Sequence, residues 1–547
     1  TAKDSSEYGI LQAFDTATLA ESWSLPIGDE PRGLAIINDE RALISLYRAG
    51  EVAQVDLKTQ QVISAPGSID VYTGVNQSAL TSTTATQSRT TVPTTFHPRA
   101  MTDLAVTPDG SRVFATSLLS REAPILIVPS VTTPYYAAQG PRLAGSVATP
   151  AIFTFDTTTP AVEPLVEDVS TFANTACFGC SGQVAEGDHP QTSYAVSGFS
   201  ASFGGTANPV LQGPSVAVVD MTGEWLFVVN RESMNLSVVT THKRHARPVR
   251  NDSYYYDPSA DELASVHSVA PIGQGADGIA ILGDNTNAYV YNQFDHSVTP
   301  ITMGNNGITA GKAVRVANDL LTPDQVAGRK MFFDANDREL SAPTASVACS
   351  SCHLEGRDDS HVWRFPDGLR QTPTLVGRGM AETGPYHWSG EFPKMGDFME
   401  HTIRSRMGGT GLSSARQRQL DAFVEAMPAA ENPYKHEQPT AEQARGAQVF
   451  ARAQCAVCHS GAWLTNNQFA NVGTLDFNPI NPDTVPVGTG LNVPSLRGLA
   501  RSAPYLHTGA AATLKERIVS NPGDQHGVTS TLSAQDMDDL VAYLRSL

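Results

Sequence analysis

The stretch VACSSCHLEG (Val347–Gly356) returns in altered form as AQCAVCHSGA (Ala453–Ala462). Each holds two cysteines separated by two residues, with a histidine directly after the second. The chain has 547 residues and six cysteines: Cys177, Cys180, Cys349, Cys352, Cys455 and Cys458. All of them fall in C-x-x-C pairs, which is not a random scatter. Two of the three pairs carry the following histidine.

C-x-x-C-H is the attachment pattern of c-type haem. Two thiols at that spacing add to the two vinyl groups on one porphyrin edge, and the histidine turns its imidazole under the iron. Cys349, Cys352 and His353 are therefore expected to hold one haem (haem 1). Cys455, Cys458 and His459 are expected to hold a second (haem 2). A zinc site needs further Cys or His ligands at fixed spacing, and a redox dithiol needs a βαβ context. Neither is evident. Haem c is matured outside the cytoplasm, so a periplasmic or extracellular protein is expected, its secretion signal already removed and a lipid anchor left open. Cys177 and Cys180 lack the histidine. In an oxidising compartment a short-range disulfide is their first reading, ahead of a metal site or a reactive dithiol.

The length calls for two or three domains. A net charge of −18 argues against nucleic acid or anionic lipid as the main partner. No apolar run is long enough to span a membrane.

The haem motifs sit inside an internal repeat. TPDQVAGRKMFF begins at Thr322 and TAEQARGAQVF at Thr440. Both read as helix starts, with Thr as N-cap and Gln325 or Gln443 closing a capping box. After the motifs, TPTL (372–375) answers VPSL (493–496), and GPYHWSG (384–390) answers APYLHTG (503–509). LSSARQRQLDAFVEAM (412–427) answers LSAQDMDDLVAYLRSL (532–547), each an amphipathic helix capped by Ser413 or Ser533. Residues 321–435 and 436–547 are expected to be two α-helical cytochrome c domains.

The repeat also selects distal ligands. Met407 lies as far beyond Pro385 as His526 lies beyond Pro504, and each is followed by glycine. Met and His are the common sixth ligands of such iron. The expected pairs are His353/Met407 and His459/His526, with the higher potential at haem 1. Methionine more often fills space, and a loop histidine is more often solvated; the matched position tips the reading. Met380, Met395, Met399, His361, His387, His401 and His507 compete.

Tandem haem motifs with TPTL…PYHWSG and VPSLRG…APYLHTGAAATL resemble the bacterial di-haem cytochrome c peroxidases. Their relative that matures the quinone cofactor of methylamine dehydrogenase shares the pattern. The resemblance covers roughly residues 320–547. It implies a peroxide-reactive first haem, a relaying second haem and a tryptophan between them, which Trp388 matches. It also implies calcium between the haem domains, near Asn492 to Pro494. Two departures stand out. The peroxidases use a glutamate to assist O–O cleavage, and Gly408 of RSRMGGT falls in its place. They also carry methionine on the second haem, whereas here it falls on the first.

Residues 1–302 read differently. Short apolar strands alternate with turns, as in PSVAVVDMTGEWLFVVNRESMNLSVV and DGIAILGDNTNAYVYNQFDHSVTPI, where Asn230 and Asn292 hold the same place. The pattern resembles β-propeller blades with a Y-V-T-N signature. About seven blades are expected, closed by the N-terminal strand GILQAFD, with a β-sandwich as the alternative. Long insertions (about 66–100, 125–148, 165–210 and 242–265) interrupt the period. Residues 303–320 read as a linker.

The functional expectation is a secreted di-haem oxidoreductase that passes electrons between its haems, with or without peroxide chemistry. The alternative is a non-catalytic electron-transfer or redox-sensing protein whose propeller is a binding module. A small cytochrome or a cupredoxin is the expected class of redox partner. The oligomeric state is not legible, and no nucleophile–base motif, P-loop or dinucleotide fingerprint appears in a credible context.

Overall fold

The computed structural model describes residues 9–28, 30–63, 72–83, 86–121, 142–143, 148–158, 170–171, 211–241, 266–283, 285–304, 307–341, 347–365, 368–475 and 490–547. Cys177, Cys180 and most of the insertions lie outside them. The first half is built of antiparallel sheets and the second of short helices.

Strand β1 (Ile10–Phe14) pairs with β2 (Glu21–Pro26) alone, so GILQAFD joins its neighbour in sequence and no larger sheet. A meander follows: β3 (Pro31–Asn38), β4 (Arg41–Leu46), β5 (Glu51–Asp56) and β6 (Gln61–Ile63). A seven-stranded sheet holds β7 (Tyr72–Thr83), β8 (Thr86–Arg99), β9 (Leu104–Val106), β10 (Arg112–Arg121), β11 (Arg142–Leu143), β12 (Ala148–Asp156) and β13 (Ser170–Thr171). Next come β14 (Pro214–Val219), β15 (Trp225–Asn230), β16 (Asn235–Thr240) and β17 (Val266–Pro271) in sequence order. The last sheet holds β18 (Ala276–Ile281), β19 (Asn287–Asn292), β20 (Ser297–Gly304), β21 (Gly307–Ala310) and β22 (Val314–Arg315). These are four larger sheets among the described residues, where about seven blades were expected.

The two asparagines singled out in the sequence do equivalent work. Pro214 faces Asn230 and Ala276 faces Asn292 across their ladders, each beside a register shift. Both side chains are fully buried. Asn230 Nδ2 donates to Asn235 Oδ1 and Ser237 Oγ, both at 3.0 Å. Asn292 Nδ2 donates to Ser297 Oγ at 3.0 Å and Thr299 Oγ1 at 2.8 Å. A buried amide must find partners inside, and each finds them on the next strand, locking the turn.

Residues 303–320 differ from the linker reading. Strands β21 and β22 both pair with β20, so this segment completes the fourth sheet. Ile308 packs on the same apolar cluster as Val290 and Ile301.

In the second half, helix α1 (Pro323–Phe332) opens with the Thr322/Gln325 capping box and α4 (Ala441–Arg452) with the Thr440/Gln443 box. α3 (Ser414–Ala426) packs across α1, and α6 (Ala534–Arg545) across α4. Glycine permits both crossings: a Cβ on Gly328 would lie 2.0 Å from Gln419 O, and one on Gly446 2.0 Å from Asp539 O. Beside each crossing two aromatic rings meet edge to face, Phe332–Phe423 at 5.6 Å and Phe450–Tyr543 at 5.3 Å. α2 (Met395–His401) and α5 (Leu514–Val519) occupy the remaining corresponding positions.

Candidate functional site: two histidine-centred clefts

The chain path around each haem motif repeats in detail. Tyr386 bridges Phe392 as Tyr505 bridges Ala511. His387 and Leu506 both adopt positive φ, at 67° and 71°. Gly408 (φ 73°) and Gly527 (φ 77°) follow Met407 and His526. The match extends to the glycine after each inferred distal residue but not to the residues themselves: Met407 ends a π-helical turn, whereas His526 lies in a bend after the 3₁₀ turn Pro522–Asp524.

Both motif cysteine pairs lie on a single 3₁₀ turn, Cys349–Ser351 and Cys455–Val457, each closed onto the second cysteine. Each following histidine has Nδ1 at a backbone carbonyl: His353 at Pro373 O, 3.0 Å, and His459 at Leu464 O, 3.2 Å. Such a bond places the proton on Nδ1 and leaves the Nε2 lone pair for a metal. Burial pulls the His353 pKa down to about 4 and lowers that of His459. Both rings are therefore neutral, as a metal-bound imidazole must be.

In the second cleft the His459 and His526 rings face each other with centroids 6.1 Å apart and planes inclined at 52°. A metal bonded to one nitrogen of each ring at about 2.0 Å requires a centroid separation of about 6 Å. A cavity of about 290 Å³ adjoins them, lined by Cys455, Cys458, His459, His526, Trp388 and His507 among others. Two thiols, two opposed neutral imidazoles and apolar walls fit a covalently attached haem. Arg517 Nε donates to His526 Nδ1 at 3.0 Å, which puts the neutral ring's proton on Nε2, the opposite tautomer to His353 and His459; His526 would have to give up this bond or that proton to bind a metal. Burial, then Arg517, then His459 drive the His526 pKa down to about 4.

In the first copy Met407 ends a single π-helical turn, Thr402–Met407, that continues α2. It packs on the apolar cluster of Met331, Phe332, Met399, Ile403 and Leu420, as does Cys349. The competitors are placed too. Met380 and Met399 are buried in that core. The His401 ring lies 5.7 Å from that of His387. His361 sits against Trp363 at 4.5 Å, toward the sheets.

Trp388 lines the same cavity as His459 and His526. Its Nε1 donates to Gln371 O at 2.9 Å, and its ring centroid is 6.1 Å from that of His507. Asn492 ties to the same loop, its backbone N donating to Trp388 O and its Nδ2 to Pro385 O. Asn492 Oδ1 is buried and accepts no hydrogen bond. Among the described residues no group of three or more His, Cys, Asp or Glu is arranged to hold a metal ion, so calcium at this place would rest on amide and carbonyl oxygens.

Three features were missed in the sequence. His387 Nδ1 lies 2.6 Å from Glu391 Oε1, and Ser389 Oγ donates to the other oxygen. The charged run after the first motif, EGRDD (355–359), is gripped by the sheets: Arg32 holds Glu355 through two bonds, Glu30 holds Arg357, Arg48 holds Asp358 and Arg99 reaches Asp359 at 3.3 Å. Buried Glu232 accepts from Ser350 and Ser351, the two residues between the first pair of cysteines. The cluster of charges at Glu355, Arg357, Asp358 and Asp359, just past C-x-x-C-H, was the one available signal.

Comparison with known proteins agrees with this geometry. Residues 443–547 match the cytochrome c family. Among curated relatives, cytochrome c peroxidase Ccp of Escherichia coli is 34% identical over 120 residues, which is 20% of this chain and 25% of that protein. Hydrazine synthase subunit gamma of Kuenenia stuttgartiensis is 25% identical over 269 residues, 39% of this chain and 76% of its own. The methylamine utilization protein MauG of Methylorubrum extorquens is 25% identical over 292 residues, 42% of this chain and 79% of its own. The match to the first of these spans only a quarter of that protein's length. Together, the donor sets and these relations support covalent c-type haem and a haem oxidoreductase related to the di-haem peroxidases. Among the described residues no helix is long and apolar enough to cross a membrane.

Proposed function

We propose that this is a secreted di-haem c-type cytochrome that passes electrons between haem 1 (Cys349, Cys352, His353) and haem 2 (Cys455, Cys458, His459). Bound haem supplies one-electron chemistry; the chain holds, orients and insulates it. The observation that supports the reading is the repeat itself, two C-x-x-C-H turns each with its histidine Nδ1 at a backbone carbonyl. His353 and His459 each hold their proton on Nδ1 toward a carbonyl. Met407 and His526 fill the matching distal positions, and Trp388 relays between the clefts. Calcium is the proposed occupant beside Asn492. The sheets are read as propeller blades forming a docking platform for a small cytochrome or cupredoxin.

Simple transfer is favoured over peroxide reduction. Gly408 stands where a peroxidase carries its glutamate, and both distal positions offer a ligand. The test is electron paramagnetic resonance of the ferric protein, with denatured mass to count haems. Two tetrapyrroles and two low-spin signals support transfer. A high-spin signal that readily takes cyanide supports catalysis at an open iron.

A further inference from the structure

The turn between β15 and β16 reaches out of the sheets and ends under the first haem motif. Its Glu232 is only 5% exposed. Ser350 Oγ donates to one carboxylate oxygen and Ser351 Oγ to the other, at 2.6 Å for Ser351. Ser351 Oγ in turn accepts from Ala348 N at 3.0 Å, so its own proton is directed at Glu232. Backbone contacts fix the turn: Ala335 N donates to Glu232 O at 2.9 Å, and Asn336 Nδ2 to Ser233 O at 3.0 Å. A hydroxyl on each oxygen is the arrangement that serves an anion, because an ionised carboxylate only accepts. Burial raises the carboxyl's pKa above the ordinary carboxylate range, and the two serines, Arg99 and Arg231 offset only part of that rise; the case for the anion is the hydroxyl on each oxygen. Nothing in the second copy corresponds: Ala456 and Val457 stand where Ser350 and Ser351 stand in the first.

We propose that Glu232 is a positioning residue of the sheets that sets the reduction potential of haem 1. A buried negative charge beside the attachment loop favours ferric over ferrous iron, since the ferric state carries one more positive charge. In a buried setting such an interaction is far less screened than at the surface. Through Glu232 the sheet half thus acts on haem 1, and anything that shifts the β15–β16 turn shifts the driving force between the haems.

This rests on the reading that Cys349 and Cys352 carry haem. The test uses full-length, haem-loaded protein, with haems counted by denatured mass and each midpoint measured by spectroelectrochemistry. Glu232→Gln should move the haem 1 equilibrium toward ferrous by about tenfold, which is 59 mV for one electron. Haem 2 should stay in place. Where the Gln variant fails to accumulate, Glu232→Met removes the charge at similar volume, with the same shift expected. A structural role alone would lower haem loading or thermal stability and leave the midpoint of haem 1 unmoved. An unmoved midpoint with two haems attached overturns the proposal. A wild-type mass lacking the first tetrapyrrole overturns the underlying reading instead.

Discussion

Trp388 and His507 hold the same place in two copies of one motif, and their rings face each other with centroids 6.1 Å apart. Each copy therefore contributes one ring to this contact. Trp388→Phe keeps a ring there but deletes the bond to Gln371 O. It is expected to slow electron transfer between the haems, read by flash photolysis of the half-reduced protein, with both Soret bands intact. Unchanged transfer would remove Trp388 from the path.

Met407→Ala should convert haem 1 to high spin and leave haem 2 low spin. The readout is the ferric spectrum. If haem 1 stays low spin, another side chain fills the sixth position, with Met399 and Met395 the first to examine.

His526→Ala should do the same to haem 2, since the facing ring at 6.1 Å is then gone. His507→Ala should not. A low-spin haem 2 in His526→Ala would refute the repeat-based assignment, with His507 the first alternative to examine.

Gly446→Ala should destabilise the chain by about 2 kcal/mol, because the obstructing atoms are backbone and the helices must separate. Thermal unfolding is the measurement. An unchanged midpoint would mean that α4 and α6 do not cross this closely in solution.

Glu391 gives a pH prediction. Burial acts to raise its pKa, but bonds from His387 and Ser389 outweigh that and hold it near 2, below the ordinary 4.5. A depressed carboxylate contributes stability above its unfolded value and loses it as pH falls through the folded one. The contribution is present above pH 4.5 and is lost toward pH 2. Because the side chain is 38% exposed, solvent screens the pair and leaves about 1 kcal/mol. Glu391→Gln should flatten the acid limb of the stability curve; an unaltered limb counts against the pair.

What was legible in the sequence was what is local. The cysteine–histidine spacing, the capping boxes and the matched places of Met407 and His526 are all set within short stretches of one copy. Asn230 and Asn292 were readable for the same reason. What was not legible joins residues far apart in the chain. Glu232 meets Ser351 only because the fold brings a sheet turn under a helix-borne loop. Arg48 finds Asp358 across the same divide. Strands β21 and β22 were read as linker because GITA and VR are too short to show a two-residue alternation.

The grip on residues 350–359 has a consequence for biogenesis. Ser350, Ser351, Leu354, Asp358 and Asp359 are all buried against the sheets or the helical core. Leu354 itself packs with Tyr47, Ala100 and Leu118. On the proposed reading, in which Cys349 and Cys352 carry haem, both thiols would have to meet the porphyrin before this segment closes onto the sheets.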